Sequence, residues 1–295
     1  MIIPIVYPSA LQFWMDSNLL DNADEFRYDR RVPALLPGKY QFLPRAELGM
    51  TLARQYGFTM PISVLAPEFC FLEAAMDLSL LELIKLGFDL CAIYLPDASA
   101  DYNQVGRKAI TTRLTISEYL DTAPGLKGIN KAKRAISYVL DNSNSPMETM
   151  VAMLMILPMH MGGYGIIKPE LNRKVYLSDQ GSRLLERNYC ICDAVWGLQK
   201  VILEYDSNLT HLSPEQHRLD KARLSALTLS GYHVVSITAD NFRNLSAIDN
   251  TFTALRWKLG QRKELKHLNK YSEERRALLQ FFKSQQSNSM ISTLL

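Results

Sequence analysis

Cys190-Ile-Cys-Asp-Ala-Val-Trp196, then Gly197 to Lys200, then Val201-Ile-Leu-Glu-Tyr-Asp-Ser207 decide how this chain is read. Both runs are rich in β-branched and aromatic residues, and a short connection containing glycine joins them, which is the pattern of an antiparallel β-hairpin. The strand period of two puts Glu204 and Asp206 on one face of the second run. Asp193 stands in the first run, between Cys192 and Ala194. Three carboxylates are therefore expected to converge. Such groups repel one another unless protons or a cation intervene, and a hard divalent cation, Mg²⁺ or Mn²⁺, suits them. The plainer alternative is a solvated face decorated with acids, but Val201-Ile-Leu203 immediately before Glu204 makes the neighbourhood apolar. Asp193, Glu204 and Asp206 are the candidate metal ligands.

The chain has 295 residues, 47% apolar and 21% charged, which excludes a disordered segment and allows two ordinary domains. The polar run Asp141-Asn-Ser-Asn-Ser145 before Pro146 marks the expected division, with an N-terminal α/β unit over 1–142 and a core over 143–250. A net charge of +3 announces no polyanion by itself, so any basic footprint must be local. Cys70, Cys91, Cys190 and Cys192 form no CxxC pair and are too sparse for a disulfide framework. Met1 to Tyr7 lacks a basic n-region and breaks at Pro4, so no signal peptide is expected. The most apolar segment, Met150 to Met159, is about half of what spans a bilayer. The expectation is a cytoplasmic protein without a membrane partner.

In chain order the patterning predicts a strand over 2–7, a helix over 10–16, a loop over 16–31, a helix over 47–56 and a strand over 62–65. A helix opened by Pro67-Glu68 follows, then one over 78–86 stopped by Gly87, and a strand over 88–95. Lys127, Lys131, Lys133 and Arg134 make a basic face on a helix over 130–140. A solvated surface explains that face better than a nucleic-acid groove. Ser145-Pro-Met-Glu148 opens a helix that is apolar on nearly all sides and hence buried, and Glu148 could be no more than half of a capping box. Met159-His-Met-Gly-Gly-Tyr-Gly165 lacks phosphate-loop spacing. A strand over 164–168, a second over 173–177 and a loop over 178–188 lead to the hairpin. A helix from Ser213 to Gly231 then precedes Tyr232 to Thr238, an apolar strand of the type buried on both faces.

Beyond residue 250 a basic helical arm is expected, with a helix over 257–280 and a frayed end. From Arg256 to Arg276 there are eight Lys or Arg against three Glu, so Arg256, Lys258, Arg262, Lys263 and Lys266 are candidate phosphate contacts. A solvated surface helix is the alternative.

The helix-borne Glu148, then Asp193, then Glu204-Tyr-Asp206 after an interval of eleven follow the order of the PD-(D/E)xK nuclease superfamily. More closely, Ser-Pro-Met-Glu148, Pro-Glu-Leu-Asn172, Asp193, Leu-Glu-Tyr-Asp-Ser207, His211, Asp220, Arg223 and Gly-Tyr-His-Val-Val235 resemble uncharacterised bacterial relatives of the very-short-patch-repair endonuclease. The match covers most of residues 60–240. It implies a restriction-endonuclease-like α/β fold: a mixed sheet flanked by helices. It also implies a Mg²⁺ or Mn²⁺ site at Asp193 and Glu204, with Glu148 nearby, and cleavage of DNA in defence or repair. Glu148, Asp193, Glu204, Asp206 and His211 are then the catalytic set, with Asp220 and Arg223 as supports, although those two could be an intrahelical ion pair. The departure is Asp206, which stands where the superfamily carries lysine. The rival is an antitoxin-like or regulatory binding module in which a decayed nuclease core, the basic arm and the N-terminal unit hold DNA or a protein partner. An arginine or lysine lodged among the carboxylates would favour it.

Overall fold

Short β-forming runs near the start of the chain pair into one mixed sheet. In this computed structural model, which describes residues 3–5, 26–33, 42–48, 62–94, 108–206, 214–261 and 269–287, they are β1 (Ile3–Ile5), β2 (Phe26–Pro33), β3 (Phe42–Leu48) and β4 (Ile62–Leu65). Their order is β1-β4-β3-β2, parallel between β1 and β4 and antiparallel elsewhere. The expected loop over 16–31 thus gives way to strand from Phe26. The helix predicted to begin at Glu47 yields at least its first two residues to β3, and the remainder lies outside the described residues, as does the helix over 10–16.

Among the described residues four helices follow, α1 (Pro67–Asp77), α2 (Leu80–Leu90), α3 (Arg113–Thr122) and α4 (Ile129–Ile136). Proline at the first turn starts α1, and a reciprocal capping box between Ser79 and Glu82 starts α2. Gly87 does not end α2, which runs on through the predicted strand to Leu90. A Cβ at Gly87 would lie 2.6 Å from Val139 Cγ2, so the glycine serves close packing instead of a helix stop.

The chain divides into two compact units between Ser145 and Pro146, and the second runs to Ser284. It opens with α5 (Pro146–Ile156), buried from Thr149 to Ile156 as its all-round apolar pattern requires. Residues 164–168 are not a strand. The backbone N–H groups of Tyr164, Gly165 and Ile166 return to the carbonyls of Leu154, Leu157 and Met155, which commits them to the end of α5. β5 (Glu170–Tyr176) is the first strand, and the predicted loop after it holds α6 (Asp179–Leu185), capped by Ser178. A Cβ at Gly181 in α6 would stand 2.7 Å from the Ala226 carbonyl.

β6 (Tyr189–Trp196) and β7 (Val201–Asp206) are the hairpin, α7 (Pro214–Leu229) the crossover and β8 (His233–Thr238) the last strand. The sheet order is β5-β6-β7-β8, antiparallel except for β7 with β8, as a helical crossover allows. Val175, Cys190, Cys192, Val195, Ile202 and Leu227 form a core on this sheet. β8 is a sheet edge, and of its residues only Ile237 is fully buried, so the expectation of burial on both faces does not hold. α8 (Leu245–Lys258) ends before Gly260 at φ +76°, and α9 (Ser272–Ser287) is a separate helix. Two helices therefore replace the continuous one predicted over 257–280. Both units are mixed α/β, and among the described residues no helix is long and apolar enough to cross a membrane.

Candidate functional site

Paired strands bring Asp193 and Glu204 together. The β6–β7 ladder runs Trp196↔Val201, Val195↔Ile202 and Ala194↔Leu203, one step short of Asp193 and Glu204. Beyond that last rung the Tyr205 N–H donates to Asp193 Oδ2 at 2.7 Å, so a side chain takes over from the backbone. Glu148 comes from the first turn of α5, and its Oε2 accepts a hydrogen bond from Asn172 Nδ2 at 2.6 Å. Asn172 lies in β5 between the rungs Leu171↔Ala194 and Arg173↔Cys192, level with Asp193.

The electrostatics record the crowding. Burial, then the charge of Glu204, then that of Glu148 push the Asp193 carboxyl up from its usual range to about 8, against the Tyr205 N–H and Arg223. At neutral pH this carboxyl keeps its proton. Arg223 on α7 supplies one cation: its Nη2 donates to Glu204 Oε1 at 2.7 Å and to the Ile191 carbonyl at 2.6 Å. Burial lowers the guanidinium's affinity for its proton, but Glu204 outweighs it and the pKa ends above its ordinary value. The pair is only partly shielded, with Arg223 35% and Glu204 19% exposed. The Cys192 thiol is held up by burial and by Glu204, so it stays protonated and offers neither a nucleophile nor a soft ligand.

Among the described residues Arg223 faces Glu204, and the crowding of Asp193 by Glu204 and Glu148 is met by Asp193 keeping its proton. Hard oxygen donors with surplus negative charge are the donor set that a divalent cation takes, displacing the proton. Among the described residues no three His, Cys, Asp or Glu side chains stand at separations that would already hold an ion. The set fits in type and charge.

No family model, curated protein or solved structure matches this chain.

Of the other residues singled out in the sequence, Asp206 ends β7 in register with Thr238 and is half-buried. Asp220 is exposed on α7, while Arg223, three residues on, reaches across to Glu204. His211, Arg262, Lys263 and Lys266 lie outside the described residues. Lys258 is exposed at the end of α8. Arg256 is not a phosphate contact: it is 1% exposed, and its guanidinium donates to the carbonyls of Tyr164 and Gly165. Counting basic residues could not separate a buried arginine, which saturates backbone carbonyls, from a solvated one.

Asn172 was missed as a site residue. Its signal was an asparagine inside a run otherwise suited to a strand, where its intrinsic fit is poor. A second cluster was missed too. Tyr164 donates to Asp249 Oδ1 at 2.6 Å, and Arg275 Nε lies 3.0 Å from that same oxygen, with its guanidinium carbon 5.2 Å from the centre of the Tyr164 ring. The glycines beside it have a packing reason, since a Cβ on Gly162 would lie 2.3 Å from the Glu274 carbonyl and one on Gly163 2.0 Å from that of Leu157.

Proposed function

We propose that this chain is a metal-dependent nuclease that hydrolyses phosphodiester bonds, DNA foremost, on a restriction-endonuclease-like core. The observation that carries the reading is the meeting of Glu148, Asp193 and Glu204, from one helix and two neighbouring strands, with Asp193 forced up to about 8. The sequence of helix, antiparallel strands, helix and parallel strand from Pro146 to Thr238 supports it as well.

Asp193 and Glu204 would hold the cation, and Glu148 and Asp206 would orient around it. A bound Mg²⁺ or Mn²⁺ polarises a phosphate and lowers the pKa of an attached water toward neutrality. Asp206 offers repulsion where the superfamily has a lysine. Arg223, anchored on Glu204 and one-third exposed, brings the positive charge that attracts the phosphate and stabilises charge developing on it. His211 would serve as acid or base. Neither a nucleophilic serine nor a cysteine is called for, in keeping with the raised Cys192 thiol.

A second reading has its own observation. Arg223 already neutralises Glu204, which favours a binding module that has kept the carboxylates and given up the ion. The deciding experiment incubates purified protein with plasmid, linear duplex, single-stranded DNA and RNA in Mg²⁺ or Mn²⁺ against EDTA. The nuclease reading expects cleavage that EDTA and Asp193→Asn each abolish. Absence of cleavage on every substrate transfers the weight to the binding module, and cleavage that survives Asp193→Asn overturns the site.

A further inference from the structure

Among the described residues four that are not glycine have positive φ: Asn142, Asn172, Glu186 and Lys200. Glu186 ends α6, Lys200 lies in the β6–β7 turn and Asn142 in an irregular connection; Asn172, at φ +46°, lies inside β5. A left-handed residue in mid-strand is unfavourable for any side chain with a Cβ, and asparagine tolerates it better than most. Glycine tolerates it best, so backbone shape alone would call for glycine here. The side chain has a contact of its own as well: its amide reaches Glu148 Oε2 at 2.6 Å from a position level with Asp193.

We infer that Asn172 is a positioning residue of the carboxylate cluster: its left-handed backbone aims the amide at Glu148 and holds that carboxylate beside Asp193 for a divalent cation. The inference rests on the metal reading proposed above. Repulsion among neighbouring carboxylates favours their separation. A donated hydrogen bond opposes that without adding a charge, and partners of this kind are typically worth about 10- to 100-fold in metal affinity.

The test uses the full chain, Mn²⁺ titrations by calorimetry and thermal unfolding in EDTA. Asn172→Gly loses the amide but suits φ +46°, whereas Asn172→Ala loses the amide and keeps the backbone strain. Both variants should bind Mn²⁺ about 10- to 100-fold more weakly than the parent and by the same factor. In EDTA, Asn172→Gly should unfold at or above the parent temperature and Asn172→Ala below it. Wild-type affinity in Asn172→Gly overturns the inference while leaving the metal reading intact. So do losses that follow stability, with Asn172→Ala much weaker than Asn172→Gly, because the role is then structural. A parent chain that binds no Mn²⁺ removes the metal reading and this inference together.

Discussion

The second unit carries two clusters of part-buried charge that are balanced in opposite ways. Around Tyr164 opposite charges are paired: Arg275, fully buried, lies against Asp249, and Asp249 also accepts from the Tyr164 hydroxyl. Around Asp193, the like charges of Glu204 and Glu148 crowd a carboxyl that keeps its proton to about pH 8, and among the described residues Arg223 faces Glu204. Balanced buried charge is what a fold requires for its own cohesion. Surplus charge of one sign works against cohesion, and such groups gather where function needs them.

Removing a partner from the balanced cluster should have the largest effect. Arg275→Ala exposes Asp249 and Tyr164 to a vacated site, and loss of one member of a buried pair costs about 3 to 5 kcal/mol. Urea unfolding measures it, and a change below about 1 kcal/mol would mean that the cluster is not cohesive. Gly163→Ala tests the same region through its backbone. A Cβ there meets the Leu157 carbonyl at 2.0 Å, so overpacking should cost about 1 to 3 kcal/mol.

In the other cluster the sign reverses. Between about pH 4 and pH 8 the folded chain holds an Asp193 proton that the unfolded chain has released. Asp193's contribution to stability is thus whole below its unfolded pKa and declines as pH rises through the window to the folded value. Asp193→Asn, a mimic of the protonated acid, should gain on the parent as pH rises from about 5 to about 8 and be the more stable of the two at pH 8, because it lacks the titration that costs the parent stability. Chemical denaturation at several pH values reads this, and a variant less stable than the parent at pH 8 would deny the surplus. The smallest effect belongs to the partly exposed Arg223–Glu204 pair. Arg223→Gln should change stability by under about 1 kcal/mol, tighten Mn²⁺ by freeing Glu204, and depress cleavage by removing the phosphate's cation. Weaker Mn²⁺ binding in that variant would mean that Arg223 helps assemble the ligands instead of competing for them.

What the sequence disclosed about these clusters follows the range of the forces involved. The hairpin and the placing of Asp193 beside Glu204 were legible because strand period and a short glycine-containing connection are local properties. Helix α5 was legible because an element apolar all round has no place but the interior. Gly87 was misread because a glycine's reason can lie in a distant side chain, here Val139, that local pattern does not name. The helix after β5 was passed over because Ser178 to Asn188 is polar, although Ser178 caps it in the ordinary manner. Arg256 looked like surface because its partners, the carbonyls of Tyr164 and Gly165, are backbone atoms ninety residues earlier. Asn172 was quoted within Pro-Glu-Leu-Asn172 but given no site role, because its backbone angle and its contact with Glu148 on another element are not local properties.

The central claim is that the carboxylate surplus at Asp193 is a divalent-cation site, and calorimetric titration of the full chain with Mg²⁺ and Mn²⁺ at pH 8, beside Asp193→Asn, tests it most directly. The prediction is saturable binding by the parent, accompanied by proton release, and none by the variant. Equal heats from both proteins, or no binding by the parent, would contradict it.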